Sequence, residues 1–234
     1  MTSIKMQKLT DRDDKVIFPG ILPGENEVVV FLAHFDVFPE SSVSSKELER
    51  AESMSSLPTR QAFLAGRRLL RRVLSHWLSC DPTLLTVRLS AEGSPHLVGE
   101  SRTFFNISHS GGVVMIAFSG ERIGADLEKE RSLDIIALAD RFFPKEEADL
   151  LRRKNDPRVF LRLWTCREAA IKGDGRGLGK LLGSTKVTFA KDGFNTVSIG
   201  GDQWIVTHRM IDHCYHAAVA TKSVPSLIRW CDLR

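Results

Sequence analysis

Runs of hydrophobic residues, some continuous and some alternating with polar ones, predict several strands in the first half of the chain. The run VVVFLAHFDVF at 28–38 combines β-branched residues with partial alternation, which is typical of a strand. TVRLS, VVMIAF and IGADLE, at 86–90, 113–118 and 123–128, predict three more strands. FFNISHS at 104–110 is interpreted as a loop that leads into VVMIAF.

Helical periodicity predicts one long helix in the first half and three helices after residue 130. The long helix runs from about Pro58 to Leu78, and a short helical segment around KELERAE precedes it. SLDIIALADRFF and PKEEADLLRR follow, with Ser132 as the predicted N-cap of the former and Pro144 in the first turn of the latter.

The third later helix, PRVFLRLWTCREAAIK, has the clearest bounds. Asp156 is its predicted N-cap, Pro157 its first residue and Gly173 the residue just beyond its end. KVTFAKDGFNTVSIG, DQWIVTHRM and YHAAVAT then predict strands. Each half combines sheet and helix, so we predict an α+β fold of two lobes, 1–120 and 121–234.

Composition restricts the class of protein. With 234 residues, 42% of them hydrophobic and 26% charged, the chain can bury a core. It has no apolar run of membrane-spanning length, and its start is too polar for a secretory signal, so we expect a cytoplasmic protein that does not enter a membrane. The four cysteines show no C-x-x-C spacing, which favours reduced thiols over disulfides or a zinc site.

The formal charge of +4 favours anionic partners, without choosing among nucleic acid, a phosphorylated cofactor and an acidic protein surface.

The strand IGADLE carries two carboxylates on one face. Its period of two directs Asp126 and Glu128 to the same side, about 6.6 Å apart along the backbone. Carboxylate oxygens at this spacing can bind one hard cation. Taken alone, however, a D-x-E strand is more often an amphipathic strand with a solvated acidic face.

The helix that contains TCREAAIK adds a third carboxylate and an amine. Glu168 and Lys172 are four residues apart, so they project from the same side of the helix. Such a pair is by itself more often a surface ion pair. Together with the D-x-E strand, Glu168 gives the set of three carboxylates that holds Mg²⁺ against a phosphoryl substrate.

Neutral and basic side chains elsewhere suit phosphate contacts. In FNISHS, Ser108 and His109 are neighbours in sequence and point in different directions, whereas a catalytic Ser-His pair needs the two side chains in contact and an orienting acid. A contact from His109 to phosphate or ribose does not have these requirements. Arg60, Arg67 and Arg71 form one basic stripe on the long helix, widened by two more arginines, Arg68 and Arg72. A solvated cationic face is the alternative interpretation of this stripe.

The chain closely resembles the surfactin-synthetase-activating class of 4′-phosphopantetheinyl transferases. The resemblance lies in three signatures and in their order and separation: FNISHS, IGADLE, and WTCREAAIK followed by GRGL. The resemblance runs from about Arg50 to Leu178. It implies a pseudo-dimer of two similar α/β lobes with coenzyme A in the cleft between them. The implied reaction moves the phosphopantetheine arm of coenzyme A to a serine of an acyl, polyketide or peptidyl carrier protein with an acidic surface, and releases adenosine 3′,5′-bisphosphate.

The resemblance also assigns roles to individual residues. Asp126, Glu128 and Glu168 would bind Mg²⁺, Glu168 would help to deprotonate the serine, and Lys172 would contact the phosphates. The cofactor contacts that it implies, besides Lys172, are Arg50, Arg60, Arg67, Ser94, Pro95, Ser108 and His109.

Two departures from the family pattern bear on these roles. Gly93-Ser94-Pro95 stands where many members have Gly-Lys-Pro, which removes one cationic contact to phosphate. Arg167 replaces the commoner lysine of the W-x-x-K-E motif, which keeps the charge but changes the donor pattern.

Two other functions were weighed against the transferase. A coenzyme A-binding protein that has lost catalysis does not need the three carboxylates and Lys172. A nucleic-acid-binding domain built on the arginine stripe leaves those carboxylates unexplained and has no recognition-helix or zinc-finger motif. We therefore expect no nucleic-acid partner, and a monomer.

Overall fold

The computed structural model describes residues 3–8, 22–36, 38, 42–90, 95–100, 102–177, 181–190 and 194–234. In the part of the chain so described, none of the helices combines the length and the hydrophobicity that a bilayer crossing requires. The helices are α1 (Ser45–Glu52), α2 (Leu57–Leu78), α3 (Ile135–Phe142), α4 (Lys145–Lys154) and α5 (Pro157–Asp174).

The strands, in chain order, are β1 (Ser3–Lys8), β2 (Glu27–His34), β3 (Val87–Leu89), β4 (Pro95–Leu97), β5 (Phe104–Ser110), β6 (Val113–Ser119), β7 (Ile123–Lys129), β8 (Lys186–Thr188), β9 (Phe194–Ile199), β10 (Asp202–Ile211), β11 (Tyr215–Thr221) and β12 (Leu227–Asp232). The helices and strands predicted from hydrophobic patterning are largely confirmed, and the chain has mixed α and β structure as predicted.

Contacts between residues divide the chain into two compact units. The first contains Met1–Ser90, Pro95–Glu121 and Pro225–Arg234, and the second contains Ala91–Ser94 and Arg122–Val224. The last ten residues therefore belong to the first unit, because β12 pairs in parallel with β1 and β2. The lobes of 1–120 and 121–234, and the pseudo-dimer with its cleft, stay predictions.

The first unit is built on a sheet with strand order β1-β12-β2-β6-β5. Helix α2 packs on this sheet, and its Leu69 and Val73 are fully buried in one core with Phe31 and Phe118 of the strands. Arg67 and Arg71 of α2, together with Arg50 of α1, line a cavity of this unit.

FFNISHS is a strand, so its interpretation as a loop was wrong. It forms β5, which pairs antiparallel with β6 and sets Ser108 opposite Met115. Gly111 and Gly112 close the hairpin with φ values of 57° and 83°, a region that glycine enters without strain. The polar residues of this segment favoured a loop in the sequence, whereas pairing with β6 stabilises a strand.

The second unit contains an antiparallel sheet with strand order β7-β11-β10-β9-β8. Helix α5 packs on β7 and β11, and its buried residues share a core with Trp204 and Val206 of β10. Asp156 caps α5 as predicted, and its Oδ1 accepts the N–H of Arg158 at 2.8 Å.

Three predicted helix ends were wrong. The N-cap of α3 is Asp134, whose Oδ1 accepts the N–H of Ala137 at 3.0 Å, and not Ser132. Pro144 is the N-cap of α4 rather than part of its first turn. Helix α5 continues through Gly173 and ends at Asp174, and its C-cap is Gly175, which has a φ of 84°. Gly173 is needed for a different reason, the close approach of this helix to the sheet.

Candidate active site

Strand β7 presents the two carboxylates predicted from its alternation. It pairs with β11 in a register that sets Asp126 opposite Ala218 and Glu128 opposite His216. The Asp126 residue is 1% exposed, whereas Glu128 lies nearer the end of the strand and is half-buried. A carboxylate this deeply buried requires a compensating cation or hydrogen bonds.

Two glycines allow α5 to lie directly on β7. A Cβ atom at Gly124 would be 1.8 Å from the carbonyl oxygen of Ala169, and one at Gly173 would be 2.9 Å from the backbone nitrogen of Gly124. Contacts of this kind exclude any side chain at the two positions. The backbones therefore meet, which brings Glu168 and Lys172 of α5 up to the carboxylates of β7.

Lys172 forms ion pairs with carboxylates from both elements. Its Nζ lies 2.5 Å from Oδ1 of Asp126 and 3.6 Å from Oε2 of Glu168. Glu128 in turn pairs with Arg131, whose Nη1 is 2.6 Å from its Oε2. The predicted residues Asp126, Glu128, Glu168 and Lys172 thus lie in one cluster of the second unit, and Arg131 is a member that the sequence did not single out.

Burial and like charge shift the pKa values in this cluster. Burial, followed by the charge of Asp126, raises the pKa of Glu168 to about 8, although the ammonium of Lys172 opposes this. Burial and Asp126 also raise the pKa of Glu128 against the effect of Arg131. Burial alone lowers the pKa of Lys172, but Asp126 and Glu168 outweigh it, so that this pKa lies above its ordinary value. The cluster therefore holds a surplus of carboxyl groups.

The chemistry of this cluster fits Mg²⁺, although the ligands are not gathered into a preformed site. Its donors are carboxylate oxygens, which hard cations prefer. A divalent ion would offset the charge of Asp126, which after burial is the second cause of the raised pKa of Glu168. Among the described residues, no group of three or more His, Cys, Asp or Glu side chains is arranged to hold a metal ion. The metal ligands stay a prediction.

In the first unit, Arg50 and Arg67 both contact the Phe63 ring, with guanidinium carbons 5.5 and 5.3 Å from its centroid. They line a cavity of about 390 Å³ together with Arg71 and Glu47. Burial, despite the attraction of Glu47, lowers the pKa of Arg67. Glu47 was not predicted to matter, because only its capping-box spacing after Ser44 is visible in the sequence.

Arg60 lines a different cavity, of about 650 Å³, which Arg68, Phe35 and His34 also line. Its Nη2 donates to the carbonyl oxygens of Glu52 and Met54 at 3.2 and 3.3 Å. The predicted single stripe was therefore wrong, because Arg60 and Arg68 face one cavity whereas Arg67 and Arg71 face another.

The remaining predicted cofactor contacts lie near β5 and β4. Ser108 is buried and His109 is exposed, as adjacent residues of a strand require, and the His109 ring lies edge-on to Phe35 at 6.4 Å. His109 thus lies beside the cavity that Arg60 lines. Pro95 is half-buried opposite Leu89 in the β3–β4 pair, and Ser94 lies outside the described residues.

Comparison with known proteins identifies the family. The 4′-phosphopantetheinyl transferase superfamily matches at residues 122–221, which include Asp126, Glu128, Glu168 and Lys172. The 4′-phosphopantetheinyl transferase HetI of Nostoc sp. (strain PCC 7120) is 38% identical over 149 residues, 60% of this chain and 63% of that protein.

Two proteins of Bacillus subtilis are also similar. The 4′-phosphopantetheinyl transferase ffp is 34% identical over 164 residues, 68% of this chain and 72% of that protein. The 4′-phosphopantetheinyl transferase Sfp is 33% identical over 156 residues, 65% of this chain and 69% of that protein. These matches, at more than 30% identity, cover more than two thirds of ffp and of Sfp. Together with the superfamily match, they show that this chain belongs to the 4′-phosphopantetheinyl transferase superfamily of enzymes.

Proposed function

We propose that this enzyme transfers the 4′-phosphopantetheine arm of coenzyme A to a serine hydroxyl of an acyl, polyketide or peptidyl carrier protein, with Mg²⁺ bound by Asp126, Glu128 and Glu168. The observation that carries this proposal is the cluster in which Lys172 joins Asp126 to Glu168, inside the region that matches the superfamily. Mg²⁺, when bound there, neutralises charge on the pyrophosphate.

The chain's own residues serve the displacement in two ways. The serine oxygen forms a bond to the β-phosphorus, while the bond from that phosphorus to the bridging oxygen breaks and adenosine 3′,5′-bisphosphate leaves. A carboxylate oxygen of Glu168 takes the hydroxyl proton. The Nζ of Lys172 donates to a phosphate oxygen and offsets its charge.

Basic residues of the first unit are proposed to bind the cofactor. Arg50 and Arg67 line one cavity and Arg60 lines another, so each cavity offers guanidinium groups to a phosphate. Ser108, His109, Ser94 and Pro95 are retained as proposed contacts to coenzyme A. We also propose that the enzyme is a cytoplasmic monomer that acts on carrier proteins with acidic surfaces.

The test is incubation of the purified chain with coenzyme A, Mg²⁺ and a panel of apo-carrier proteins, read by intact mass. A gain of one phosphopantetheinyl group by a carrier, absent with Asp126→Asn and retained with the half-buried control Asp149→Asn on α4, supports the proposal. Tight binding of coenzyme A without transfer to any carrier would instead favour a coenzyme A-binding protein. Binding of nucleic acid with a steep salt dependence would favour a nucleic-acid-binding domain.

A further inference from the structure

The side chain of Arg167 is fully buried and contacts parts of the second unit other than β7. Its Nη2 lies 2.5 Å from Oε2 of Glu147 on α4 and donates to the carbonyl oxygen of Thr185 at 3.1 Å. Its Nε donates to Oγ1 of Thr185, and its guanidinium carbon lies 4.3 Å from the centroid of the Phe143 ring. One side chain thus ties α5 to α4 and to the segment before β8.

Both partners of Arg167 are themselves held by backbone groups. Oε1 of Glu147 accepts the N–H of Val187 at 3.1 Å, and Oγ1 of Thr185 donates to the carbonyl oxygen of Leu182 at 3.0 Å. A guanidinium is a rigid fork, so bonds from its Nε and Nη2 to anchored partners fix the direction of the side chain.

The next residue, Glu168, projects about 100° away around the helix, toward β7. The radius of a helix with its side chains is about 5–6 Å, so a rotation of about 10° moves a side-chain tip by about 1 Å. A displacement of about 1 Å in a reacting group can slow a reaction about 100-fold. Lys172 lies one turn further on and would move with Glu168.

Stability alone does not account for this buried ion pair, because apolar residues of similar volume often replace such pairs without loss of stability. We propose that Arg167 is a positioning residue, which sets the rotation of α5 and thereby the places of Glu168 and Lys172. The proposal rests on the proposed transferase function. In this proposal, Arg167 acts through its contacts with α4 and the segment before β8, and not by contacting the cofactor.

The experiment compares transfer by the wild type and four variants at temperatures where urea titration shows all of them folded. Arg167→Met removes the fork, Arg167→Lys keeps only the charge, and Arg167→Met with Glu147→Met removes the pair without leaving a lone buried carboxylate. Leu151→Ala is the matched control, since Leu151 lies one turn after Glu147 on α4, is fully buried in the same core and makes no part of the network.

We expect the kcat of the double variant to fall at least about tenfold, while its KM for coenzyme A changes less than about twofold. The kcat of Arg167→Lys should lie between those of the wild type and the double variant. Leu151→Ala should keep kcat within about twofold while lowering the urea midpoint. A double variant that turns over like the wild type, or a loss of kcat that Leu151→Ala reproduces, would overturn it. If the wild type transfers to no carrier, the proposed function itself fails.

Discussion

The ammonium nitrogen of Lys172 lies 2.5 Å from Oδ1 of Asp126, so a cation of the chain itself occupies a predicted metal ligand. This pair joins α5 to β7 at the point where the two backbones touch. The ammonium group compensates the charge of a carboxylate that is only 1% exposed. If Asp126 binds Mg²⁺ as proposed, this pair has to change.

Lys172→Met should raise the affinity for Mg²⁺ in the absence of coenzyme A while it abolishes transfer. The substitution removes a positive charge that repels the metal, and charges at this distance inside a protein interact strongly enough to change affinity by about tenfold or more. Calorimetric titration with Mg²⁺ measures the effect, with the exposed Lys145→Met as control for net charge. Equal or weaker binding by Lys172→Met would contradict the role of Lys172 as the resident cation.

Glu168→Gln should make the metal-free enzyme more stable at pH 8–9 than the wild type. It should also make the free energy of unfolding depend less on pH between 4.5 and about 8. The carboxyl of Glu168 keeps its proton up to about pH 8 in the folded state but loses it near 4.5 when unfolded. The folded state therefore binds more protons, so wild-type stability falls as pH rises from 4.5 to about 8, by about 1.4 kcal/mol for each unit of pKa difference at most.

Urea unfolding in a chelator at several pH values measures this slope. A variant whose free energy of unfolding varies with pH as the wild type's does would show that Glu168 is not protonated in the folded state.

Gly124→Ala should destabilise the second unit by about 4 kcal/mol or more, at the upper end of single substitutions. The added methyl would lie 1.8 Å from the carbonyl oxygen of Ala169, a backbone atom that moves only if α5 shifts. Gly183→Ala is the control, because a Cβ there meets nothing within 4 Å. Comparable urea midpoints for the two variants would mean that the helix and strand are not packed as described.

The elements that carry the candidate site could be predicted from sequence, because their signals are local. The alternation of β7 and the cap of α5 at Asp156 are both visible within a few residues. The pairing of β5 with β6 and the contact between Gly124 and Ala169 depend on residues distant in sequence. For the same reason, Gly173 looked like a helix end, although it is a contact point.

The arginines show the same limit in another form. Angles around α2 group Arg60 with Arg67, but the cavities also depend on α1, which supplies Arg50 and Glu47 to one of them. The direction of Arg167 was equally hidden, since it is set by Glu147 on another helix.

Arg60→Ala and Arg67→Ala should each raise the KM for coenzyme A, by about tenfold if one charge-assisted hydrogen bond is lost. The variant whose side chain meets the 3′-phosphate will lose this effect with 3′-dephospho-coenzyme A, whereas a contact to the pyrophosphate affects both substrates equally. Because the two arginines line separate cavities, we expect different responses from them. Arg88→Ala, at an exposed strand position, is the control, and variants that match it would show that neither arginine contacts coenzyme A.

The last prediction concerns the carrier protein. The formal charge of +4 and the proposed acidic partner imply that long-range attraction speeds their encounter. The screening length shrinks from roughly 30 Å at 0.01 M salt to about 8 Å at 0.15 M. The rate at sub-saturating carrier should therefore fall over this range, whereas turnover at saturating carrier should respond less.

Salt also weakens the binding of coenzyme A, so the titration requires coenzyme A far above its KM at every salt concentration. Under that condition the remaining salt dependence belongs to the encounter with the carrier. Apolar contacts in the docked complex are nearly insensitive to salt and should leave a residual rate at about 0.5 M, where the screening length is only a few ångströms. An unchanged rate across the whole range would show that the basic charge of the enzyme has no part in selecting its partner, and that apolar contacts alone bring the serine to Glu168.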